Sequence, residues 1–180
     1  MKCPHCDAEI TEDLDECPFC HASFKSPAVA QHITHVGISA VDSYSIGHIA
    51  MGVMTFLILS FFYSIPTEFN IVPILEMWLI FLLSFVVAVV WEIFENTILW
   101  AMGKKFENRR DSILNALWDI LFVMLGAVVF WIFWIAYVDI GGFAGRWYYV
   151  IGFVVFAILI VIFSISLKVI KKTSESKWIS

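Results

Sequence analysis

The sequence predicts an all-α integral membrane protein: a four-transmembrane-helix bundle with a small N-terminal four-cysteine zinc ribbon. Three observations lead there. Of its 180 residues, 61% are hydrophobic and only 15% charged, whereas soluble domains hold about 45–50% and about 25%. The excess is not spread evenly but collects after residue 43 into runs long enough to cross a bilayer. All four cysteines fall within the first twenty residues, as two CxxC pairs. The net charge of −5 says little about partners, because the charges are segregated by region. No basic patch of nucleic-acid type stands outside one short loop and the tail, so no nucleic-acid partner is expected.

Cys3, Cys6, Cys17 and Cys20 form two knuckles joined by a short polar link, the spacing of a tetrahedral zinc site. The alternative is a pair of disulfides or four free thiols. Proline follows the first cysteine of each pair (Pro4, Pro18) and favours the tight turn a knuckle needs. His5 and His21 flank the cysteines as solvated neighbours. A structural metal contributes folding energy that a module this short cannot draw from a core. Residues 1–24 resemble the short zinc ribbons at the N-termini of many archaeal and bacterial membrane proteins, where docking of a protein partner is one expected role. The start of the chain lacks the apolar core of a secretory signal, so insertion is expected to rest on the first membrane helix.

Residues 25–43 read as a linker or an interfacial helix, with His32 and His35 spaced to share a helix face. The membrane domain covers 44–170, with helices over about 44–64, 73–102, 112–137 and 146–170, and a polar tail over 171–180. Pro73 suits a first turn. Lysine and arginine crowd the link between helices two and three (Lys104, Lys105, Arg109, Arg110) and the C-terminal segment. By the positive-inside rule both termini are cytoplasmic, in a cell (plasma) membrane.

Inside this frame stand acids that lipid disfavours. A charged side chain at bilayer depth costs roughly 2.5–3.5 kcal/mol on insertion scales, so such residues suggest function. Counting 1.5 Å per residue from each helix midpoint, His48, Glu92 and Asp119 lie roughly 7–9 Å to the cytoplasmic side. Glu95 and Asn115 follow at about 11 and 14 Å on the same side. Glu92, Glu95 and Asn96 are spaced i, i+3, i+4 and form one stripe; Asp111, Asn115 and Asp119, at i, i+4, i+8, form another. Both stripes should face the bundle interior, with His48 as partner.

Three readings fit this cluster. It is a hydrogen-bonded network that glues helices, with the acids protonated or paired to His48 or Arg110. Or it is a metal or proton site at the heart of an enzyme, with Glu92, Glu95, Asp119 and His48 as catalytic groups. Glu, Asp, Asn and His from facing helices are ligands for a second divalent metal, and of Mg²⁺ sites that leave room for phosphate. Asp111, Asn115, Arg110 and Lys105 would then bind the ligand, and the 103–110 loop would suit an anionic lipid headgroup. Or it is an ion- or proton-coupled transport site, which four helices would build as an oligomer.

Glu92-x2-Glu95, then Arg110-Asp111, then Asp119-x6-Gly126-Ala127 resemble the pattern of the VanZ-like family of small membrane proteins, over residues 91–127. Glu95 stands where many members carry Gln, and Val123 where an Asn is usual. The resemblance implies an accessory or binding protein working near the cell envelope. Its runner-up is a metal-dependent membrane enzyme acting on a lipid or polyprenyl phosphate. Asn115-x3-Asp119 is also similar to part of the acid-rich motif of membrane prenyltransferases, which have many more spans.

Overall fold

The computed structural model describes residues 3, 8, 9, 17–19, 28–30, 35–105 and 110–177, with side chains through residue 172. Cys6, Cys20, His5, His21, His32 and Arg109 lie outside the described residues. Cys3 and Cys17, the first cysteine of each pair, are both fully buried.

Among the described residues, four helices long and apolar enough to cross a membrane follow in order. They are α1 (Ser45–Glu68), α2 (Met77–Phe94), α3 (Ile113–Trp134) and α4 (Gly145–Lys177). α2 runs on through a π-helical turn at Glu95–Leu99, and α3 through another at Ile135–Ile140. The bundle is centred on α1, which packs chiefly on α3 and also against α4 and α2. α4 is the outermost helix, with very little of its span buried.

Apolar residues all round each helix suit lipid outside and packing inside. The buried core comprises Val53, Phe56 and Leu57 of α1, Met77 and Ile80 of α2, Ala127, Phe130 and Trp134 of α3, and Tyr148 of α4. Toward the α1 C-terminus, the Tyr149 hydroxyl meets Ser60 Oγ at 3.1 Å and Ser64 Oγ at 2.5 Å. At mid-height α1 and α3 meet backbone to backbone. A Cβ on Gly52 would lie 1.9 Å from the Val123 carbonyl oxygen, and one on Gly126 would lie 2.3 Å from that of Ile49. Small residues permit this approach, the device by which membrane helices gain packing without a hydrophobic driving force.

Several boundaries differ from the sequence expectation. α1 continues past Ser64 to Glu68, taking in Pro66. Proline has no N–H to donate back to the carbonyl four residues earlier, and that carbonyl, Phe62 O, instead accepts from Ile74 N–H at 3.0 Å. The chain after α1 therefore folds back on the helix, and α2 begins at Met77 with Pro73 left in the connection. Helix three starts one residue late, capped by Ser112, whose Oγ accepts from Asn115 N–H at 3.1 Å. α4 runs to Lys177, so the tail is helical through most of its length; no Gly or Pro stands in residues 171–177.

Residues 35–43 form a series of turns and bends strapped across the end of the bundle where α1 and α3 begin and α2 ends. Gly37 O accepts from Ser112 N–H at 2.8 Å, Ile38 O from Ser112 Oγ at 3.2 Å and Ser39 O from Asn115 Nδ2 at 3.0 Å. Asp42 Oδ2 takes Gly37 N–H at 2.9 Å and Oδ1 takes Tyr44 N–H at 2.8 Å. Gly37 has a left-handed φ of 77°, and a Cβ there would stand 2.7 Å from Asp111 Oδ1; only glycine fits without strain.

Candidate metal centre

Three helices each contribute one buried ionisable side chain at a single level. His48 stands one turn before Gly52 on α1, and Asp119 two turns before Gly126 on α3, so the close α1–α3 contact brings these two together. Glu92 arrives from the last turn of α2. His48 Nε2 lies 3.6 Å from Asp119 Oδ2, and His48 Nδ1 lies 3.9 Å from Glu92 Oε1. The three side chains present ligand atoms all within 4.8 Å of one another. Each residue is at most 6% exposed.

These separations exceed a hydrogen bond, which spans about 2.7–3.2 Å. Accordingly His48 Nδ1, Glu92 Oε1 and Asp119 Oδ1 are buried without a hydrogen-bond partner. Leaving one such atom unmet costs about 1–3 kcal/mol, and buried polar groups are nearly always satisfied. Two ligands each about 2.1 Å from one cation stand roughly 3.0–3.4 Å apart. The three ligand atoms lie within 4.8 Å of one another, so closing on one ion takes side-chain movement of up to about 1.4–1.8 Å. Imidazole and carboxylates are the donors that suit divalent metals.

Around this triad lies a second layer, fully bonded. Asn96 donates from Nδ2 to Glu92 Oε2 at 3.3 Å and to Glu92 O at 3.1 Å. Its Oδ1 accepts from Lys105 Nζ and from Asp111 N–H, both at 2.8 Å. Lys105 is buried; its ammonium also donates to Asp111 Oδ2 and lies 3.6 Å from Glu95 Oε1. Glu95 Oε2 accepts from Trp91 Nε1 at 3.0 Å. The π turn begins at Glu95, and turns of this kind occur often at functional sites.

The sequence-derived residues thus separate. His48, Glu92 and Asp119 converge. Glu95, Asp111, Asn115 and Lys105 surround them, Asn115 by holding the 35–43 strap and the others through Lys105. Arg110 stays outside, with its guanidinium 4.0 Å above the Trp100 ring. One residue escaped the sequence reading, and another was placed on the inward stripe without a role. Asp42 lines the cavity beside the triad, and burial pushes its carboxyl above the ordinary value of 3.8 against the pull of the Gly37 and Tyr44 N–H groups. Its only sequence signal is an acid just ahead of a helix start. Asn96 joins Glu92 to Lys105, a role that nothing in its type reveals.

A cavity of about 370 Å³ opens beside the triad. Asp42, His48, Glu95, Lys105, Asp111 and Asp119 line its polar end.

Residues 33–140 match the family described as "Predicted membrane protein (DUF2238)". The chain belongs to that family. No curated protein and no solved structure matches it. The DUF2238 range contains α1 to α3, the 35–43 strap, and every member of the triad and its second layer.

Proposed function

We propose that this DUF2238 member binds a divalent metal inside the membrane through His48, Glu92 and Asp119. The observation that carries this reading is the trio of unpartnered buried atoms on three helices, His48 Nδ1, Glu92 Oε1 and Asp119 Oδ1. A purely structural network would have closed them on one another at hydrogen-bond length. An ion would satisfy all three and offset two carboxylates in lipid.

The function around that metal is an accessory or binding role of VanZ-like type. The acid pattern over residues 91–127 supports it, and that stretch falls wholly within the matched range. The orientation belongs to the same proposal. Lys104, Lys105 and Arg110 lie at the bundle end that also receives Lys168, Lys171 and Lys172 of α4, which by the positive-inside rule supports an inner-leaflet site in a plasma-membrane protein. A structural zinc on Cys3, Cys6, Cys17 and Cys20 completes it, supported by the burial of Cys3 and Cys17. The cavity beside the triad favours a second reading, a metal-dependent enzyme acting on a lipid phosphate.

Elemental analysis of the full-length protein in detergent tests the metal. Two classes of metal are expected, each at about one equivalent per chain. Glu92→Gln should remove only the intramembrane one, and Cys3→Ser with Cys17→Ser only the zinc. Retention of full metal content in Glu92→Gln and Asp119→Asn would overturn the intramembrane site.

A further inference from the structure

The cavity beside the triad is polar at one end and apolar at the other. Besides the acids and Lys105, it is walled by Met51 of α1, Trp91 of α2, Leu99 in the π turn and Phe163 of α4. The polar end is closed: His48, Asp42, Asn115 and Asp119 are all buried. The apolar wall is not. Trp91 is 37% exposed, and Met51, Leu99 and Phe163 are all partly exposed.

That mouth opens sideways. α2 and α4 each pack on α1 and make little contact with one another, so their facing side chains, Trp91 and Phe163, flank a cleft floored by α1. Met51, Trp91 and Phe163 sit roughly 9–14 Å inside the ends of their spans at 1.5 Å per residue. At that depth an opening meets acyl chains, not water.

The charges at the polar end are mostly engaged. Asp42 accepts two backbone N–H bonds, and Asp111 and Glu95 both hold Lys105. An ion on the triad would offset Glu92 and Asp119. Lys104, exposed at the rim and lining the cavity, then faces the open volume together with the ion. Lys104 at the rim and the open coordination positions of such an ion, beside an apolar cleft, select an anion with a hydrocarbon tail.

We infer that this cavity binds one membrane lipid bearing a phosphate headgroup, taken in laterally between α2 and α4. The phosphate lies between the triad and Lys104, and the first part of the acyl chain lies along Met51, Leu99 and Phe163. The headgroup anchor rests on the metal reading; the lateral cleft does not.

Native mass spectrometry of the full-length, delipidated protein tests this, with dioleoyl phosphatidic acid and dioleoylglycerol as probes that differ in the phosphate. The wild type should retain phosphatidic acid as a single bound molecule, at least about ten-fold better than dioleoylglycerol, a gap of about 1.4 kcal/mol. Leu99→Trp, which fills the cleft, and Lys104→Gln, at an exposed site, should each abolish that preference while metal content by elemental analysis stays unchanged. Equal retention of both probes, or an undiminished preference in both variants, would overturn the lipid site. Selective retention in a protein without intramembrane metal would overturn the metal reading and keep the lipid one.

Discussion

Gly52 and Val123 touch through their backbones, and a Cβ on Gly52 would come within 1.9 Å of the Val123 carbonyl oxygen. Since the neighbour is main chain, no rotamer change relieves the clash. The contact also fixes the height at which His48 meets Asp119, because both lie a turn away on the same two helices.

Gly52→Ala should therefore force α1 and α3 apart. Overpacking of this kind costs about 1–3 kcal/mol and sometimes more. A fall in Tm in detergent, accompanied by loss of intramembrane metal, is the expected outcome. Met54→Ala, a large-to-small change elsewhere on α1 and outside the triad, is the control for stability alone.

Lys105 is a buried cation between two carboxylates and an amide. Removing one partner of a buried pair costs about 3–5 kcal/mol, since the other is left uncompensated. Lys105→Met should destabilise by that order, and Lys105→Met with Asp111→Asn should recover much of the loss. A double-mutant cycle with no coupling would show the pair to be incidental.

Asp42 gives the strap a pH dependence with a definite sign. Its carboxyl is raised in the folded protein, first of all by burial, so the folded state keeps the proton after the unfolded one has released it. The strap should be held best below 3.8, weaken as pH rises from there through the raised value, and change no further above it. Hydrogen exchange at Gly37, corrected for the intrinsic rate, should show that fall, and Asp42→Asn should flatten it.

At the far end of the bundle the Tyr149 hydroxyl reaches both Ser60 and Ser64. Polar contacts between membrane helices contribute about 0.6–2 kcal/mol. Tyr149→Phe should destabilise the fold by an amount in that range, read as a fall in Tm, and leave metal content untouched. Any loss of metal would show the two ends of the bundle to be coupled.

The membrane bundle was legible because an apolar run needs no partner to declare itself, and the acids were legible because lipid makes them conspicuous. Helical phase then paired His48, Glu92 and Asp119 correctly across three helices. It failed where geometry departs from the ideal α-helix or where residue type carries no signal. Glu95 shares the stripe of Glu92 by counting, but at the π turn it leans to Trp91 and Lys105 instead. Four basic residues in one loop look alike on paper; the fold buries Lys105 and leaves Arg110 on Trp100. Asp42 sits in a mixed stretch where an acid is unremarkable, and only the strap turns it inward. The extension of α1 through Pro66 depended on a distant N–H, that of Ile74, to satisfy the carbonyl that proline leaves unmet.

The wide turn at Glu95–Leu99 holds one residue more than an α-helix would use there. At 3.6 residues per turn, that surplus swings everything after it by about 100°. Trp100, the loop and Lys105 thus owe their bearing on Glu92 to chain length, not to residue type. A relative shorter by a single position in this turn would keep every acid and every lysine, yet point its ammonium at lipid. In this chain the spacing through the second span aims the site as much as the letters it contains.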